Sequence, residues 1–461
     1  MNRYLLLLLI LGCLACESNK STSNAIFFTG EIVNPTDEYV VLFKGGAVID
    51  SAKLDGSNRF SFDLDVIDDG LYHFSHAPEY QYVYLEKGDT LLVRLNTQDF
   101  DESLVFSGTN EEVNNFLLEL FLLNEEEERV IRSEYFNYEA DDFQREIEVL
   151  AANKIKALDA IKLEYGLSDK AYEIAKASIN YTYYGYMEIY PFEHKRKLRE
   201  NTIHAITDTF YEYRKDIDYN NENLIYLRPY YDFMKSHFGN LSYMTCSNSC
   251  GIKGDVVNNQ LHFNKHKLHV IDSLVVEKEL RDNLFRNVAF NYLLKEHDAP
   301  ENNKVFLEEF EKVSQNNMHI EEIENLYNGI RNIQPQKEIP TISVIAFDES
   351  TTTLPEISKD KKVVFYFWSA TNKNHYQNIF KRVKKLEKLK EDHTFIGINI
   401  KTEKSNWEGI IKNFELDTAT QFRTDDYEGI TNQLVIYPMN KCIVTDNAVI
   451  VDAFSNIYQR L

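Results

Sequence analysis

The chain has 461 residues, of which 43% are hydrophobic and 13% aromatic, so it is long enough to form several domains and to bury large cores. It contains 50 Lys and Arg residues against 73 Asp and Glu residues, which gives a formal net charge of −23. An acidic balance of this size argues against nucleic acid and against an anionic membrane surface as the main binding partner.

Residues 1–16 have the pattern of a secretory signal peptide that ends at a lipid-modified cysteine. A basic residue precedes the apolar run 5–11, which is too short to span a bilayer as a permanent helix. Cys16 follows an alanine and precedes a polar segment, which resembles a bacterial lipobox, so it is the favoured lipidation site. Cys13 is the alternative, and an ordinary signal peptide cleaved nearby is the other interpretation. We therefore expect an exported protein that its lipid anchors to a membrane of the bacterial cell envelope, in the periplasm or at the outer-membrane surface, with residues 17–25 as a flexible tether.

Residues 26–108 alternate apolar and polar side chains in short segments, as in Arg59–Leu64 and Thr90–Leu95. Turn residues separate these segments, for example the sequence Lys87-Gly88-Asp89. About eight short strands at this spacing predict an all-β sandwich. The turn residues need no function beyond turn formation.

Residues 109–338 have apolar residues at helical spacing, as in the stripe from Val113 to Phe121. This pattern predicts a helical middle region without a solenoid repeat. Tyrosines cluster at residues 181–186 and 226–231. Because aromatic side chains dominate core burial, we interpret both clusters as core packing rather than as a ligand-stacking groove.

Two cysteines of the helical region, Cys246 and Cys250, are separated by three residues. In an exported protein so close a pair favours a local structural disulfide. A pair of reduced thiols is the alternative, and a redox or metal-binding role is the least favoured interpretation. The spacing differs from the Cys-x-x-Cys of thiol redox enzymes.

Three histidines follow at positions that share one face of a helix: His262, His266 and His269. Together with the cysteine pair they offer a ligand set for zinc. Lys265 and Lys267 are interleaved with them, however, and no carboxylate that would support a metal-bound histidine is apparent. We therefore predict a solvated histidine face and no metal site.

The carboxyl-terminal part contains an apolar run, Lys362–Trp368, that predicts a buried central strand. Polar residues follow, and then Ile379, Phe380 and Val383 begin an apolar stripe at helical spacing. A strand thus ends in a polar turn at which a helix begins. In this geometry backbone N–H groups and the positive end of the helix dipole face the turn.

The residues of this turn resemble the active-site segment of the TlpA/ResA-like thiol–disulfide interchange family. That family has Phe-Trp-Ala-x-Trp-Cys-x-x-Cys; here Phe367–Ala370 fits, Thr371 replaces the second tryptophan, and Asn372 and His375 occupy the cysteine positions. The resemblance implies a thioredoxin-like α/β domain over residues 339–461 without the redox pair. Because Asn and His can neither act as thiolates nor form a disulfide, we assign no catalytic residue. An acid–base or metal role of His375 is a minor alternative, since no adjoining residue supplies a partner.

Residues 434–451 resemble the part of the same family in which a cis proline precedes a β-hairpin. The resemblance implies a cis bond between Tyr437 and Pro438. It also implies a groove, formed by Trp368, Tyr437 and Pro438, beside the former redox position. Cys442 on the next strand is interpreted as a small buried apolar residue.

Four segments resemble the β-domain of unknown function that precedes thioredoxin-like domains in Bacteroidetes lipoproteins: Gly30–Ile32, Ile49–Ser51, Asp55–Phe62 and Lys87–Thr90. The two resemblances occur in the expected order along the chain. The predicted architecture is therefore multidomain α+β. It has an amino-terminal β-sandwich (26–108), a helical middle region (109–338) and a carboxyl-terminal thioredoxin-like α/β domain.

The leading functional prediction is a non-enzymatic envelope lipoprotein that binds an unknown envelope protein, peptide or other ligand through the thioredoxin-like groove and the helical region. A peptide in extended conformation can be held beside a cis proline by backbone hydrogen bonds, without thiols. A thiol–disulfide oxidoreductase that uses Cys246 and Cys250 is one alternative. A structural or glycan-uptake accessory lipoprotein is the other. We predict no cofactor and no nucleic-acid partner.

Overall fold

The computed structural model describes residues 24–65, 67–246, 250–253, 256–296 and 298–459. The predicted signal peptide, both candidate lipidation cysteines and most of the tether lie outside the described residues. The chain divides into two compact units between residues 240 and 241. This division falls inside the region predicted as the helical middle, so helices belong to both units. Within the described residues, no helix is both long enough and apolar enough to cross a membrane.

The first unit begins with two four-stranded sheets, within the described part of the chain, that enclose one apolar core. The strands are β1 (Ile26–Val33), β2 (Tyr39–Lys44), β3 (Ala47–Lys53), β4 (Arg59–Leu64), β5 (Gly70–His76), β6 (Glu79–Leu85), β7 (Thr90–Asn96) and β8 (Val105–Gly108). Their order is β4-β1-β7-β8 in one sheet and β3-β2-β5-β6 in the other. Along β1, Ile26 and Phe28 are buried and Phe27 is exposed, so the predicted alternation directs one face of the strand into the core.

Helices form the rest of the first unit, and aromatic side chains pack between them. The helices are α1 (Phe100–Ser103), α2 (Glu111–Ser133), α3 (Ala140–Tyr165), α4 (Asp169–Leu198) and α5 (Arg228–Thr245), with 3-10 turns at Tyr135–Asn137 and Asp208–Asp216. The rings of Tyr181 and Tyr230 lie 4.8 Å apart in an edge-to-face arrangement, and both are buried. Tyr183 is buried as well. For these tyrosines the core-packing interpretation is confirmed.

One ionised side chain, Glu188 on α4, lies fully inside the first unit. Four groups donate to its two oxygens: Arg214 Nε and Tyr213 Oη at 2.9 Å, His237 Nδ1 at 2.7 Å and Asn240 Nδ2 at 2.8 Å. Burial by itself would raise the pKa of Glu188, but the hydrogen bonds from His237 and Arg214 outweigh it and lower that pKa. We call this set of residues the Glu188 network.

The second unit contains helices that precede a large mixed sheet. The helices are α6 (Gln260–Leu274), α7 (Lys278–Asn291), α8 (Pro300–Val313) and α9 (Ile320–Asn332), and a short hairpin of β9 (Ile252–Lys253) and β10 (Val256–Val257) lies before them. In α9 the apolar residues Ile323, Leu326 and Ile330 are buried, at the spacing of one helix face. The acidic residues Glu321 and Glu322 stand in its first turn, where the helix dipole favours negative charge.

The mixed sheet has seven strands within the described residues, in the order β12-β11-β15-β14-β13-β16-β17. The strands are β11 (Ser343–Ile345), β12 (Thr351–Thr353), β13 (Lys362–Trp368), β14 (His393–Asn399), β15 (Gln421–Arg423), β16 (Cys442–Asp446) and β17 (Val449–Asp452). The helices of this part are α10 (Leu354–Ser358), α11 (Lys373–Glu387), α12 (Lys404–Asn413) and α13 (Tyr427–Leu434).

The predicted central strand is confirmed as β13. It pairs in parallel with β14 and antiparallel with β16, and it is buried from Val363 to Trp368 because both of its faces are covered. A helix follows each of the two parallel strands, and the Tyr437–Pro438 bond before the β16–β17 hairpin is cis, as predicted. This combination is the thioredoxin-like arrangement that the resemblance implied.

Candidate functional site

The turn between β13 and α11 is built around a helix cap. Asn372 is the N-cap residue of α11, and its side-chain oxygen accepts a hydrogen bond of 2.9 Å from the backbone N–H of His375. The hydroxyls of Ser369 and Thr371 lie 2.9 Å apart in the same turn. Asn372 therefore satisfies one of the free N–H groups at the helix start.

His375, in the first turn of α11, has a polar ring that is poorly hydrogen-bonded. Both ring nitrogens are shielded from solvent, and among the described residues neither has a hydrogen-bond partner. Burial lowers the pKa of His375, and interactions with the Met439 backbone and the Asn440 side chain oppose this only in part. Neither ring nitrogen therefore has a hydrogen bond of good geometry, and the contacts with Met439 and Asn440 compensate the burial of the imidazole only in part.

Of the three residues predicted to form the groove beside the cis proline, two lie on the surface and one does not. Tyr437 is 45% exposed, its ring lies 6.3 Å from that of Phe290, and Pro438 is exposed. Trp368, in contrast, is 0% exposed and packs edge-to-face on Phe380 of α11 at 5.1 Å. Because α11 covers this end of β13, Trp368 belongs to the core and not to the groove surface in which we predicted it.

A pocket of 470 Å³ opens beside His375. It is lined by His375, Asn378, Lys381, Arg382, Lys385, Asn440 and Tyr458, and we call it the basic pocket. Three of these residues are cationic, and none of the described lining residues carries a carboxylate. The pocket is therefore positively charged although the protein as a whole has a net charge of −23, and it can bind an anionic group. Sequence reasoning missed the pocket, although Lys381, Arg382 and Lys385 recur at the spacing of one helix face.

The cysteines of the described residues offer no exposed free thiol. Cys246 and Cys250 form a disulfide with their Cα atoms 6.1 Å apart. Cys442 is free but buried, and burial raises the pKa of its thiol to about 12. A protonated, inaccessible thiol cannot take part in disulfide exchange, which agrees with the interpretation of Cys442 as a buried apolar residue.

The three histidines of α6 have different surroundings. His269 is exposed and contacts Glu309 of α8 at 3.1 Å. His262 and His266 are partly buried, and His266 Nε2 lies 3.0 Å from the Thr245 hydroxyl. The predicted solvated face thus describes His269 alone, because the segment that contains Thr245 packs near the other two. The expectation of no nearby carboxylate is wrong, since Glu309 comes from a helix distant in sequence.

A buried cation near the cis proline was not anticipated from the sequence. Lys441 lies directly before β16, and its Nζ donates to the carbonyl oxygens of Leu434 at 2.6 Å and Val435 at 2.9 Å, at the end of α13. Burial lowers the pKa of Lys441 to about 7. No local pattern in the sequence distinguishes this lysine from an exposed one.

No protein-family profile and no curated protein matches the chain. Among solved structures, it is similar to a thioredoxin-like protein from Bacteroides caccae, with 9% identity and a TM-score of 0.33 over 56% of this chain and 95% of that one. It is also similar to the thioredoxin domain of a thiol-disulfide oxidoreductase from Bacteroides vulgatus, with 18% identity and a TM-score of 0.22 over 26% of this chain and 86% of that one. A thiol-disulfide oxidoreductase from Bacteroides fragilis has 19% identity and a TM-score of 0.22 over 25% and 88%. Because these TM-scores are low, nothing about function follows from them.

Proposed function

We propose that this protein is a lipid-anchored protein of the cell envelope that binds an acidic segment of a partner protein at its thioredoxin-like domain, without thiol chemistry there. The observation that carries the proposal is the basic pocket beside His375 and Asn440. Its cations attract a carboxylate-bearing segment, and no carboxylate of the described lining competes for them.

The side chains of the pocket are partly fixed in advance. Arg382 Nε donates a hydrogen bond of 2.9 Å to the carbonyl oxygen of Ile457, which holds the guanidinium at the rim beside Tyr458. Lys381 and Lys385 lie one helical turn apart and are exposed, so their side chains can move towards the carboxylates of a bound segment. Preorganisation of one cation lowers the entropic cost of binding.

The cis proline supplies an exposed surface next to this charge, since Pro438 is exposed. A peptide in extended conformation that passes Pro438 brings backbone N–H and C=O groups to this surface. Such a ligand can place its carboxylates beside Lys381, Arg382 and Lys385 while its backbone lies along Pro438.

The test is the affinity of the full chain for two labelled peptides of equal length, one of alternating Glu and Gly and one of alternating Lys and Gly, measured by fluorescence anisotropy. We expect binding of the acidic peptide only. The double variant Lys381→Glu/Lys385→Glu should weaken it at least about tenfold, which is about 1.4 kcal/mol.

The matched control is Lys384→Glu/Lys388→Glu, which makes the same change of charge at exposed positions of the same helix region outside the pocket lining. This control should retain most of the affinity. Equal binding of both peptides, or an equal loss in both double variants, would contradict the proposal.

The disulfide between Cys246 and Cys250 favours one other candidate function, a thiol–disulfide oxidoreductase that uses this pair. Insulin reduction by the full chain, with dithiothreitol as the electron source, separates it from the binding function. Turnover that is lost in Cys246→Ala would establish the oxidoreductase. Turnover no greater than that of dithiothreitol alone would exclude it.

A further inference from the structure

Two cysteines and two histidines of the second unit have spacings close to those of a zinc-binding segment. Three residues separate Cys246 from Cys250, eleven separate Cys250 from His262, and three separate His262 from His266. Zinc sites with two cysteines and two histidines have about two to four residues between the cysteines, about 12–15 between the second cysteine and the first histidine, and about three to five between the histidines, so the middle interval is one residue short. The cysteines precede the β9–β10 hairpin and the histidines lie on α6, so one short segment provides all four side chains.

The fold brings three of these side chains together. The Sγ atoms of Cys246 and Cys250 and a ring nitrogen of His262 all lie within 4.8 Å of one another. A tetrahedral zinc ion, with Zn–S bonds of about 2.3 Å and Zn–N bonds of about 2.0 Å, holds its ligand atoms about 3.3–3.8 Å apart. The two sulfurs are bonded to each other here, so the cluster reaches this geometry only after the disulfide is reduced and the sulfurs separate to about 3.8 Å.

His266 is placed to supply the fourth ligand. It lies one helical turn beyond His262 on the same face of α6. Its Nε2 is 3.0 Å from Oγ1 of Thr245, the residue directly before Cys246. The imidazole is thus beside the cysteine segment but outside the group of three atoms that lie within 4.8 Å of one another, so it must exchange the hydroxyl for the metal and move towards the sulfurs to become the fourth ligand.

Hydrogen bonds hold the cysteine end of the segment against the start of α6. The backbone N–H of Asn259 donates to the carbonyl oxygen of Cys250 at 3.1 Å. The side chain of Asn259 caps α6 by accepting from the backbone N–H of His262 at 3.0 Å. One residue therefore ties Cys250 to His262 independently of the bond between the sulfurs. Lys265, which lies between the histidines, pairs with Glu309 at 3.1 Å, so its charge is compensated.

We propose that reduced Cys246 and Cys250, together with His262 and His266, form a structural Zn²⁺ site. The disulfide and the zinc-bound form are alternative states of the same two sulfurs. A dithiol or phosphine reductant supplies two electrons that break the S–S bond, and two protons complete the thiols. Zn²⁺ then displaces both thiol protons and is held by the two thiolates and two neutral imidazoles. The site is separate from the basic pocket and does not depend on its function.

The test is a titration of the full chain with Co²⁺ under argon, before and after reduction by a phosphine. The reduced chain should bind one equivalent with the visible absorption of tetrahedral Co²⁺ and a thiolate-to-cobalt charge-transfer band, and Zn²⁺ should displace it. The unreduced chain should show neither feature. Absence of the charge-transfer band in the reduced wild-type chain would overturn the proposal, and this comparison needs no variant.

Variants then assign the ligands. Cys246→Ser/Cys250→Ser should lose the charge-transfer band, and His262→Gln or His266→Gln should weaken Co²⁺ binding at least about tenfold, the loss that follows removal of even an outer partner of a ligand. His269→Gln, on the same helix but outside the site, should bind as the wild type does. Unchanged spectra and affinity in both histidine variants would overturn the four-ligand site.

The first unit has another close group of potential ligands, formed by Glu139, His194 and His204. It contains no sulfur, so any Co²⁺ that it takes produces no thiolate charge-transfer band. The band, rather than the total metal content, therefore reports on the proposed site.

Discussion

The Glu188 network and the turn at His375 differ in how completely their buried polar atoms are hydrogen-bonded. Glu188 is fully buried and four groups donate to its carboxylate, whereas the two shielded nitrogens of His375 make no hydrogen bond of good geometry and have only weaker contacts with Met439 and Asn440. A satisfied buried network stabilises the fold. A buried polar group that is poorly hydrogen-bonded costs stability. The difference separates a stabilising buried group from a destabilising one.

The largest expected effect is at the structural site. Glu188→Gln removes the charge that compensates Arg214 inside the first unit, so the variant should lose about 3–5 kcal/mol of unfolding free energy, as buried pairs do when one partner is removed. Urea unfolding followed by circular dichroism measures the loss. Glu212→Gln, which breaks an exposed pair with Lys215, is the control and should behave as the wild type does. Equal unfolding midpoints in both variants would show that the network does not stabilise the unit.

The same network predicts a dependence on pH. Because the pKa of Glu188 is lower in the folded chain than its usual value of 4.5, the folded state binds fewer protons there than the unfolded chain does. The stability from Glu188 is therefore fully present above about pH 4.5 and is lost as the pH falls through the folded pKa. Unfolding of the wild type and of Glu188→Gln at pH 7, 5 and 3.5 should show a difference that shrinks towards acid. If the difference in unfolding free energy between the wild type and Glu188→Gln does not change with pH, the pKa of Glu188 is not lowered in the folded chain.

Local patterns were sufficient to predict some elements of the fold and insufficient for others. The burial of β13 and the alternation in β1 follow from apolar runs and period-two spacing, which are properties of neighbouring residues. The position of Trp368 depends instead on α11, which covers it after the turn, and the motif alone suggested a groove. The general lesson is that a motif gives the order of elements but not which side chains remain exposed.

The basic pocket illustrates the same limit at longer range. Arg382 contacts the carbonyl oxygen of Ile457, 75 positions further along the chain, and Tyr458 then closes one side of the pocket. Cationic residues on one helix face are usually only solvated, so the sequence pattern could not distinguish a pocket from an ordinary surface. The cluster of Cys246, Cys250 and His262 was visible as a spacing, but its proximity depends on the cap at Asn259.

Lys441 is intermediate in the comparison, since it has two hydrogen-bond acceptors but forms no ion pair among the described residues. Its folded pKa of about 7 lies below the usual 10.5, so the unfolded chain binds more protons between these values and stability rises with pH there. From pH 7 to pH 9 the gain over Lys441→Met should be about 2 kcal/mol. Urea unfolding followed by tryptophan fluorescence measures it, because Trp368 and Trp407 both lie in the second unit. Lys361→Met, at an exposed position, should show the same change of unfolding free energy with pH as the wild type. The same change in Lys441→Met would contradict a contribution from the buried lysine.

The smallest expected effect tests the unsatisfied side of the comparison. His375→Leu replaces two buried and poorly hydrogen-bonded nitrogens by an apolar group of similar size, so the free chain should become more stable by about 1 kcal/mol, because a buried polar group without good hydrogen bonds is a cost. His393→Leu is the control: its Nδ1 already contacts Asp392 at 2.7 Å, so removal of that ring should bring no gain in stability. A loss of stability in His375→Leu, measured by tryptophan fluorescence in urea, would mean that the imidazole has partners in the folded chain and that the turn resembles the Glu188 network after all.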